Sequence, residues 1–245
     1  MYSKKLSVII PVYKAAGFIK NNLNEISNSF SKHFSNFEII AVIDGNQDHS
    51  YEKASEVKDI RVVGYAKNRG KGYALKYGYQ FATGDYITFL DCDMDLHPDQ
   101  LLNFYPYLSS SDMVIGSKRH PFSKVKYPLL RRIMSEGFRI FKFIALGLPL
   151  KDTQTGMKLI KKELLDVIMP LTLVKRYAFD VELCFLAKKH GFRIVEAPVQ
   201  IKQQFGSTVH LSSAFKTALD VLAISYRYHF LHYYQKKYWE NRFRK

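Results

Sequence analysis

"GDYITFLDCDMDLHP", residues 84–98, decides how this chain is read. Tyr86 to Leu90 is a run of aromatic, β-branched and aliphatic side chains, the pattern of a strand buried on both faces. At its end Asp91, Asp93 and Asp95 fall at every second position, and His97-Pro98 closes the stretch. Side chains of an extended chain alternate, which puts Asp91 and Asp93 on the same side. Carboxylates that close repel one another, and burying them is costly unless they are paired or bound to a cation. Hard oxygen ligands at a strand end suit Mg²⁺ or Mn²⁺, which keep several waters and take further oxygens from a substrate's phosphates. The competing reading is a solvated acidic turn whose aspartates cap a helix.

Upstream, "LSVIIPVY" (6–13), "FEIIAVID" (37–44) and "IRVVGY" (60–65) read as further buried strands. Helical patterns over 17–34, around 48–57 and over 70–83 separate the strands. A helix near 98–108 leads to a fifth strand, "DMVIGS" (112–117). Such alternation predicts an α/β fold, a parallel sheet covered on both faces. Ligands then sit at the carboxyl ends of the strands, where Tyr13, Asp44 and the Asp91 cluster lie. The second half is less regular. "DTQTGMKLIKKELL" (152–165) reads as a polar turn followed by a strand or a helix start. "AFDVELCFLAKKHGFRIVEAPVQI" (178–201) reads as a helix, a stop at Gly191 and a strand. From Ser212 to Lys245 the pattern is helical, aromatic and basic. We expect one domain over 1–211 with a helical extension over 212–245.

The chain has 245 residues, 47% of them hydrophobic, which is enough for a packed core and argues against disorder. Its formal net charge of +15 suggests an anionic partner: phosphate, nucleic acid or an acidic membrane surface. No nucleic-acid recognition motif accompanies that charge, and such a reading leaves the aspartates unexplained. Cys92 and Cys184 form no C-x-x-C pair and read as reduced packing residues of a cytosolic protein. Met1–Lys5 leads directly into a strand, so no leader is expected. "FRIFKFIALGLPL" (138–150), interrupted by Arg139 and Lys142, suits lying on a membrane better than crossing it.

Four further features have two readings each. "NRGKGYALKYG" (68–78) sets Lys71 between Gly70 and Gly72 at a helix start, where backbone N–H groups and one cation can meet an anion. It is equally a glycine-rich loop before an amphipathic helix. The run 118–132 holds Lys118, Arg119, Lys124, Lys126, Arg131 and Arg132, broken by Pro121 and Pro128. It suits a phosphate-contacting loop or a solvated face. His229 and His232 sit one helical turn apart, a spacing open to metal binding or to an interfacial helix face. Asp180 and Glu182 are candidate bases, and Asp180 is also placed to cap a helix.

Taken together these residues resemble family 2 glycosyltransferases of the GT-A fold, a Rossmann-like, mostly parallel sheet. The likeness runs from about Leu6 to about Thr208 and is strongest to the polyprenyl-phosphate branch, the dolichyl-phosphate mannose synthases and glucosyltransferases. "VIIPVYKA" (8–15) is similar to the opening strand, which implies that Pro11 and Tyr13 meet the donor's nucleotide base. "VIDGNQD" (42–48) resembles V-D-D-G-S-x-D with Ile43 in place of one acid, leaving Asp44 as the implied base contact. "NRGKGYAL" implies a donor contact for Lys71. "DCDMDLHP" implies metal ligation by Asp91, Asp93 and Asp95. "GSKRH" (116–120) and "PLLRRIMS" (128–135) resemble the segments that hold the acceptor phosphate, which implies Lys118, Arg131 and Ser135. "DTQTGMK" (152–158) is similar to D-x-Q-x-G-x-K and adds Gln154 to the donor site. Gln203 stands where these synthases often carry a basic residue, and no transmembrane pair follows, so an amphipathic tail is the expected substitute.

The reading is a metal-dependent inverting transferase. It moves mannose or glucose from a GDP- or UDP-hexose to a polyprenyl phosphate, peripherally at the cytosolic face of a membrane. Catalysis falls to Asp91, Asp93, Lys118 and Arg131. The basic aromatic tail 226–245 is expected at the membrane interface, against the rival of a helix packed on the domain. The alternative reaction is transfer to a glycan hydroxyl, which needs a base and points to Asp180 or Glu182.

Overall fold

The structure is a computed structural model that describes residues 4–125, 129–201 and 211–243. Among the described residues seven strands form one sheet: β1 Leu6–Val12, β2 Phe37–Asp44, β3 Ile60–Tyr65, β4 Tyr86–Phe89, β5 Met113–Ser117, β6 Lys158–Lys161 and β7 Ile194–Pro198. Their spatial order is β3-β2-β1-β4-β6-β5-β7. All neighbours run parallel except β6, which is antiparallel to both β4 and β5. The ambiguous segment 152–165 is therefore both things: β6, followed directly by helix α5 (Lys162–Ile168).

Period-two alternation in these apolar strands divides the core in two. Ile9, Ile40 and Val42 face one side with Ile87 and Phe89. Val8, Ile10, Ile39 and Ala41 face the other, against helix α1 (Ile19–His33) and a 3-10 run, Pro98–Ser109. The first side is covered by α3 (Lys71–Tyr79), α5 and α6 (Phe179–Lys189). α2 is the short helix Ser50–Ser55. The basic loop is shorter than expected, because α4 begins at Leu129 and runs to Leu146.

The extension is two helices, α7 (Leu211–His229) and α8 (Tyr233–Phe243). They break at His232, whose φ is 50°. His229 thus ends α7 and His232 lies in the break, so the two are not one turn apart on one helix. Nor is the extension a detached tail. Val221, Ile224 and Tyr234 are buried in the same core as α6, with Tyr228, Tyr233 and Tyr238 packed against it. Burying a residue such as Val221 or Ile224 stabilises by roughly 2 kcal/mol each. Among the described residues no helix is long and apolar enough to cross a membrane.

Candidate active site

From β1 the chain crosses to β2 and β3 on one side, then returns to β4 on the other. The crevice beyond the carboxyl ends of β1 and β4 is therefore the topological switch point, where open α/β sheets bind ligands. Pro11 pairs with Val42 two residues past the last β1–β4 pair, Ile9 with Phe89, so its missing N–H leaves no gap in the β4 ladder. Tyr13 stands exposed just beyond β1, its hydroxyl donating to Gln47 Oε1 at 3.4 Å.

Asp44, at the end of β2, has a structural task that the sequence did not show. It is buried, and its carboxylate accepts the main-chain N–H groups of Arg69 (2.6 Å) and Gly70 (2.8 Å) and the amide of Asn68 (2.9 Å). It shapes the N-R-G-K-G loop. Gly70 is required there: its φ is 100°, and a Cβ would come 2.6 Å from the Lys175 carbonyl.

That loop delivers Lys71 into the aspartate cluster. Its Nζ lies 2.5 Å from Asp91 Oδ1. Burial works against both charges, yet the pairing prevails. Asp91 is held below the usual carboxylate range by Lys71, with Lys158 and Lys118 assisting. Lys71 is held above its ordinary value by Asp91 and Asp180. Asp93 moves the other way: desolvation and the charge of Asp91 push its carboxyl up. The same two causes, with Asp93 ahead of Asp91, push the Cys92 thiol up to about 12, so it stays neutral.

Asp91, Asp93 and Asp95 do not form a ready three-carboxylate cage, and no group of three metal-ligating side chains occurs among the described residues. The physical reason is a tight turn. The Met94 N–H bonds back to the Asp91 carbonyl, Met94 has φ 57°, and the Asp95 N–H donates to Asp93 Oδ1 at 3.1 Å. This ends the extended register on which a shared face depends. The residues still fit a divalent cation bound through one or two carboxylates. Asp93 is exposed, crowded by like charge and in no ion pair among the described residues, which is the state a cation relieves.

Two unexpected residues hold this cluster. Gly156 lies so close that a Cβ would meet Asp91 Oδ2 at 1.9 Å. Lys158, fully buried in β6, places Nζ 2.6 Å from both Asp180 Oδ1 and the Thr155 carbonyl. The glycine and lysine of D-x-Q-x-G-x-K are thus the floor under Asp91. Gln154 is exposed at its edge, its side-chain amide 3.4 Å from the Tyr177 carbonyl. Both candidate bases are buried. Asp180 is paired with Lys158. Glu182 is fully buried and accepts from the N–H groups of Leu173 and Val174 and from the Tyr234 hydroxyl (2.9, 2.8 and 2.6 Å).

Across the crevice, Lys118 follows β5, its N–H donating to Asp152 Oδ2 at 3.0 Å. Arg119 donates to Ser135 Oγ at 2.8 Å and pairs with Glu136, which also pairs with Arg139. Arg131 lies in the first turn of α4; its side chain, like residues 126–128, is outside the described set. Gln203 is outside it too. Arg119 was legible only as one charge in a basic run. Its partner, Ser135, fixes its place.

The chain is 32% identical to a dolichyl-phosphate beta-glucosyltransferase of Dictyostelium discoideum, over 91% of this chain and 74% of that one. It is 29% identical to the protein of the same name from Saccharomyces cerevisiae, over 91% and 75%. Its fold matches a mannosyl-3-phosphoglycerate synthase from Rubrobacter xylanophilus at TM-score 0.71 and 16% identity, covering 91% of this chain and 74% of that one. It also matches a Mycobacterium tuberculosis glucosyl-3-phosphoglycerate synthase crystallised with Mn²⁺, UDP-glucose and phosphoglyceric acid, at 0.69 and 18%, covering 91% and 79%. The family model for glycosyl transferase family 2 matches residues 7–179, most of the catalytic sheet, and the chain belongs to that family.

Proposed function

We propose that this protein transfers a hexose from a nucleotide sugar to the phosphate of a polyprenyl lipid of the dolichyl type. One observation favours this over transfer to a glycan hydroxyl. A hydroxyl needs a base, and both acids near the crevice, Asp180 and Glu182, are buried and bonded. A phosphate is already ionised near neutral pH and needs positioning only. The names of the relatives favour a dolichyl phosphate acceptor and glucose over mannose.

The donor's diphosphate lies over Asp91 and Asp93, its base toward Tyr13 and Pro11, with Gln154 at the edge. Asp93 with Asp91 or Asp95 would hold a divalent cation, whose charge would offset that of the diphosphate and of the departing nucleotide, worth several kcal/mol. Lys71 keeps Asp91 ionised and in place. Lys118, Arg119, Arg131 and Ser135 hold the acceptor phosphate. Its oxygen attacks the anomeric carbon from the face opposite the diphosphate. The new C–O bond forms as the old one breaks, the electron pair leaves with the nucleoside diphosphate, and the sugar carbon inverts. We place the reaction at the cytosolic face of a membrane, a setting that the unpaired Cys92 and Cys184 support.

The test is incubation with labelled UDP-glucose, GDP-mannose and GDP-glucose in turn, with polyprenyl phosphate and Mg²⁺ or Mn²⁺, then solvent extraction. Label in the lipid phase is expected. Label confined to an added glycan acceptor would establish the alternative.

A further inference from the structure

Residues 150–156 run between the two walls of the crevice, and two carboxylates outside the aspartate turn hold them there. Glu196, in β7, accepts the main-chain N–H groups of Lys151 (3.1 Å) and Asp152 (2.9 Å). Asp152 in turn accepts from three donors. Its Oδ2 takes the Lys118 N–H at 3.0 Å and the Thr155 hydroxyl at 2.7 Å, and its Oδ1 takes the Gln154 N–H at 3.1 Å. The Thr155 carbonyl accepts from Lys158 Nζ at 2.6 Å, so the network reaches the floor under Asp91. At the start of the segment, the buried Lys142 of α4 donates from Nζ to the Leu150 carbonyl at 2.7 Å.

The two carboxylates bind backbone and not cations. Four of their five donors are main-chain N–H groups, and the fifth is a hydroxyl. Acceptors spent in this way fix the path of the chain. The choice of an acid at 152 follows from the donors. A carboxylate is an acceptor on both oxygens, whereas an asparagine would turn N–H groups toward one of the three. Thr155 is 1% exposed, so its hydroxyl has no ready partner in water if Asp152 is removed. The backbone held here carries a residue of each wall. Ser117 ends β5 fully buried, and Lys118 is the first residue to leave that strand. Its charge assists in keeping Asp91 ionised. Gln154 is exposed at the edge of the donor position.

We propose that Asp152, seated by Glu196, is a positioning residue that sets Lys118 and Gln154 in one fixed relation, so that a single carboxylate outside both substrate sites governs the use of both substrates. The roles given to Lys118 and Gln154 rest on the reading above, in which one meets the acceptor phosphate and the other the donor. The tie between the two segments does not rest on it. Such a tie matters for transfer because the attacking oxygen and the anomeric carbon must meet in line. A shift of about 1 Å between the groups that hold them costs up to about a hundredfold in rate.

The test compares the full chain with Asp152→Ala, Lys118→Ala, Gln154→Ala and the two double variants that contain Asp152→Ala. The donor is whichever of UDP-glucose, GDP-glucose and GDP-mannose wild type transfers, the acceptor is polyprenyl phosphate in detergent, and rates are taken per folded molecule. Lys118→Ala should raise the KM for the acceptor alone, and Gln154→Ala the KM for the donor alone. Asp152→Ala should raise both and lower kcat, each by about tenfold. Once Asp152 is gone, removing Lys118 or Gln154 should cost far less than in wild type, because each is already misplaced. Hydrogen exchange should quicken by about tenfold in 116–120 and in 150–156 together. Additive costs, an effect on one substrate alone, or a lower melting temperature with both KM values and kcat unchanged overturns the proposal. So does unchanged exchange in either segment. If Asp152→Ala does not melt cooperatively, Asp152→Asn, which keeps the volume and one acceptor oxygen, decides by the same comparisons. Transfer to no polyprenyl phosphate by wild type overturns the acceptor reading, while exchange still decides the tie.

Discussion

Two charge clusters flank the crevice, and one fully buried pair separates them. Lys71, Asp91, Lys158 and Asp180 form the first, in which Lys158–Asp180 is only 1% and 5% exposed while Lys71–Asp91, at 21% and 38%, is partly open. Arg119, Ser135, Glu136 and Arg139 form the other at the surface, where Glu136 is 41% exposed. The contacts are similar in kind. Their consequences differ, because a buried charge that loses its partner cannot recover it from water, whereas a surface charge can. The Lys158–Asp180 pair is therefore scaffold for the carboxylates, whereas surface pairs such as Arg119–Glu136 can exchange partners.

Lys158→Met breaks the comparison at its deep end. It leaves Asp180 buried and unpaired, and a loss of about 3–5 kcal/mol in denaturant unfolding is expected. Adding Asp180→Leu should restore most of it. Asp93→Asn should leave folding intact, since the residue is exposed, but lower transfer by several kcal/mol of barrier and remove the response to EDTA. Near wild-type turnover by this variant, with or without EDTA, would remove the metal from the mechanism.

Glu182 sharpens the comparison through pH. Burial raises its carboxyl above the ordinary 4.5, although Tyr234, Val174 and Leu173 pull it down in part. The folded state thus binds this proton more tightly than the unfolded chain. Its contribution is full below about 4.5 and is lost as pH rises through the folded value. Glu182→Gln should therefore gain on wild type in melting temperature between pH 5 and pH 8. A wild-type advantage that grows with pH over that range would reverse the sign. At the shallow end, Glu136→Gln should change stability by under about 1 kcal/mol. Arg131→Ala should raise the KM for the lipid acceptor while calorimetry shows unchanged affinity for the nucleotide sugar.

The half of the molecule built on β1 to β4 was legible because its strands are uninterrupted apolar runs, and such runs have few places to go but a covered parallel sheet. β3 matches its expected bounds, Ile60–Tyr65. β6 was not separable from α5, since four residues of strand run into a helix without punctuation. Asp44 was legible as a rim residue but not as a loop anchor, because its partners, Arg69 and Gly70, lie a strand away. Lys158 stood in the quoted motif without a role: a lysine inside a strand reads as exposed until Asp180 is placed beside it. In the C-terminal extension aromatics occur on every side of the helix, so periodicity could not tell Tyr234, in the core, from Tyr226, in water.

The central claim is that the acceptor arrives already ionised and the site supplies no base. The most direct measurement is transfer from one labelled nucleotide hexose to a polyprenyl phosphate and, in parallel, to the polyprenol of the same length. Transfer to the phosphate alone is the expected result, with Asp180→Asn lowering stability more than it lowers the rate per folded molecule. Comparable transfer to the alcohol, abolished by Asp180→Asn in protein that remains folded, would show that Asp180 is a base and contradict the account.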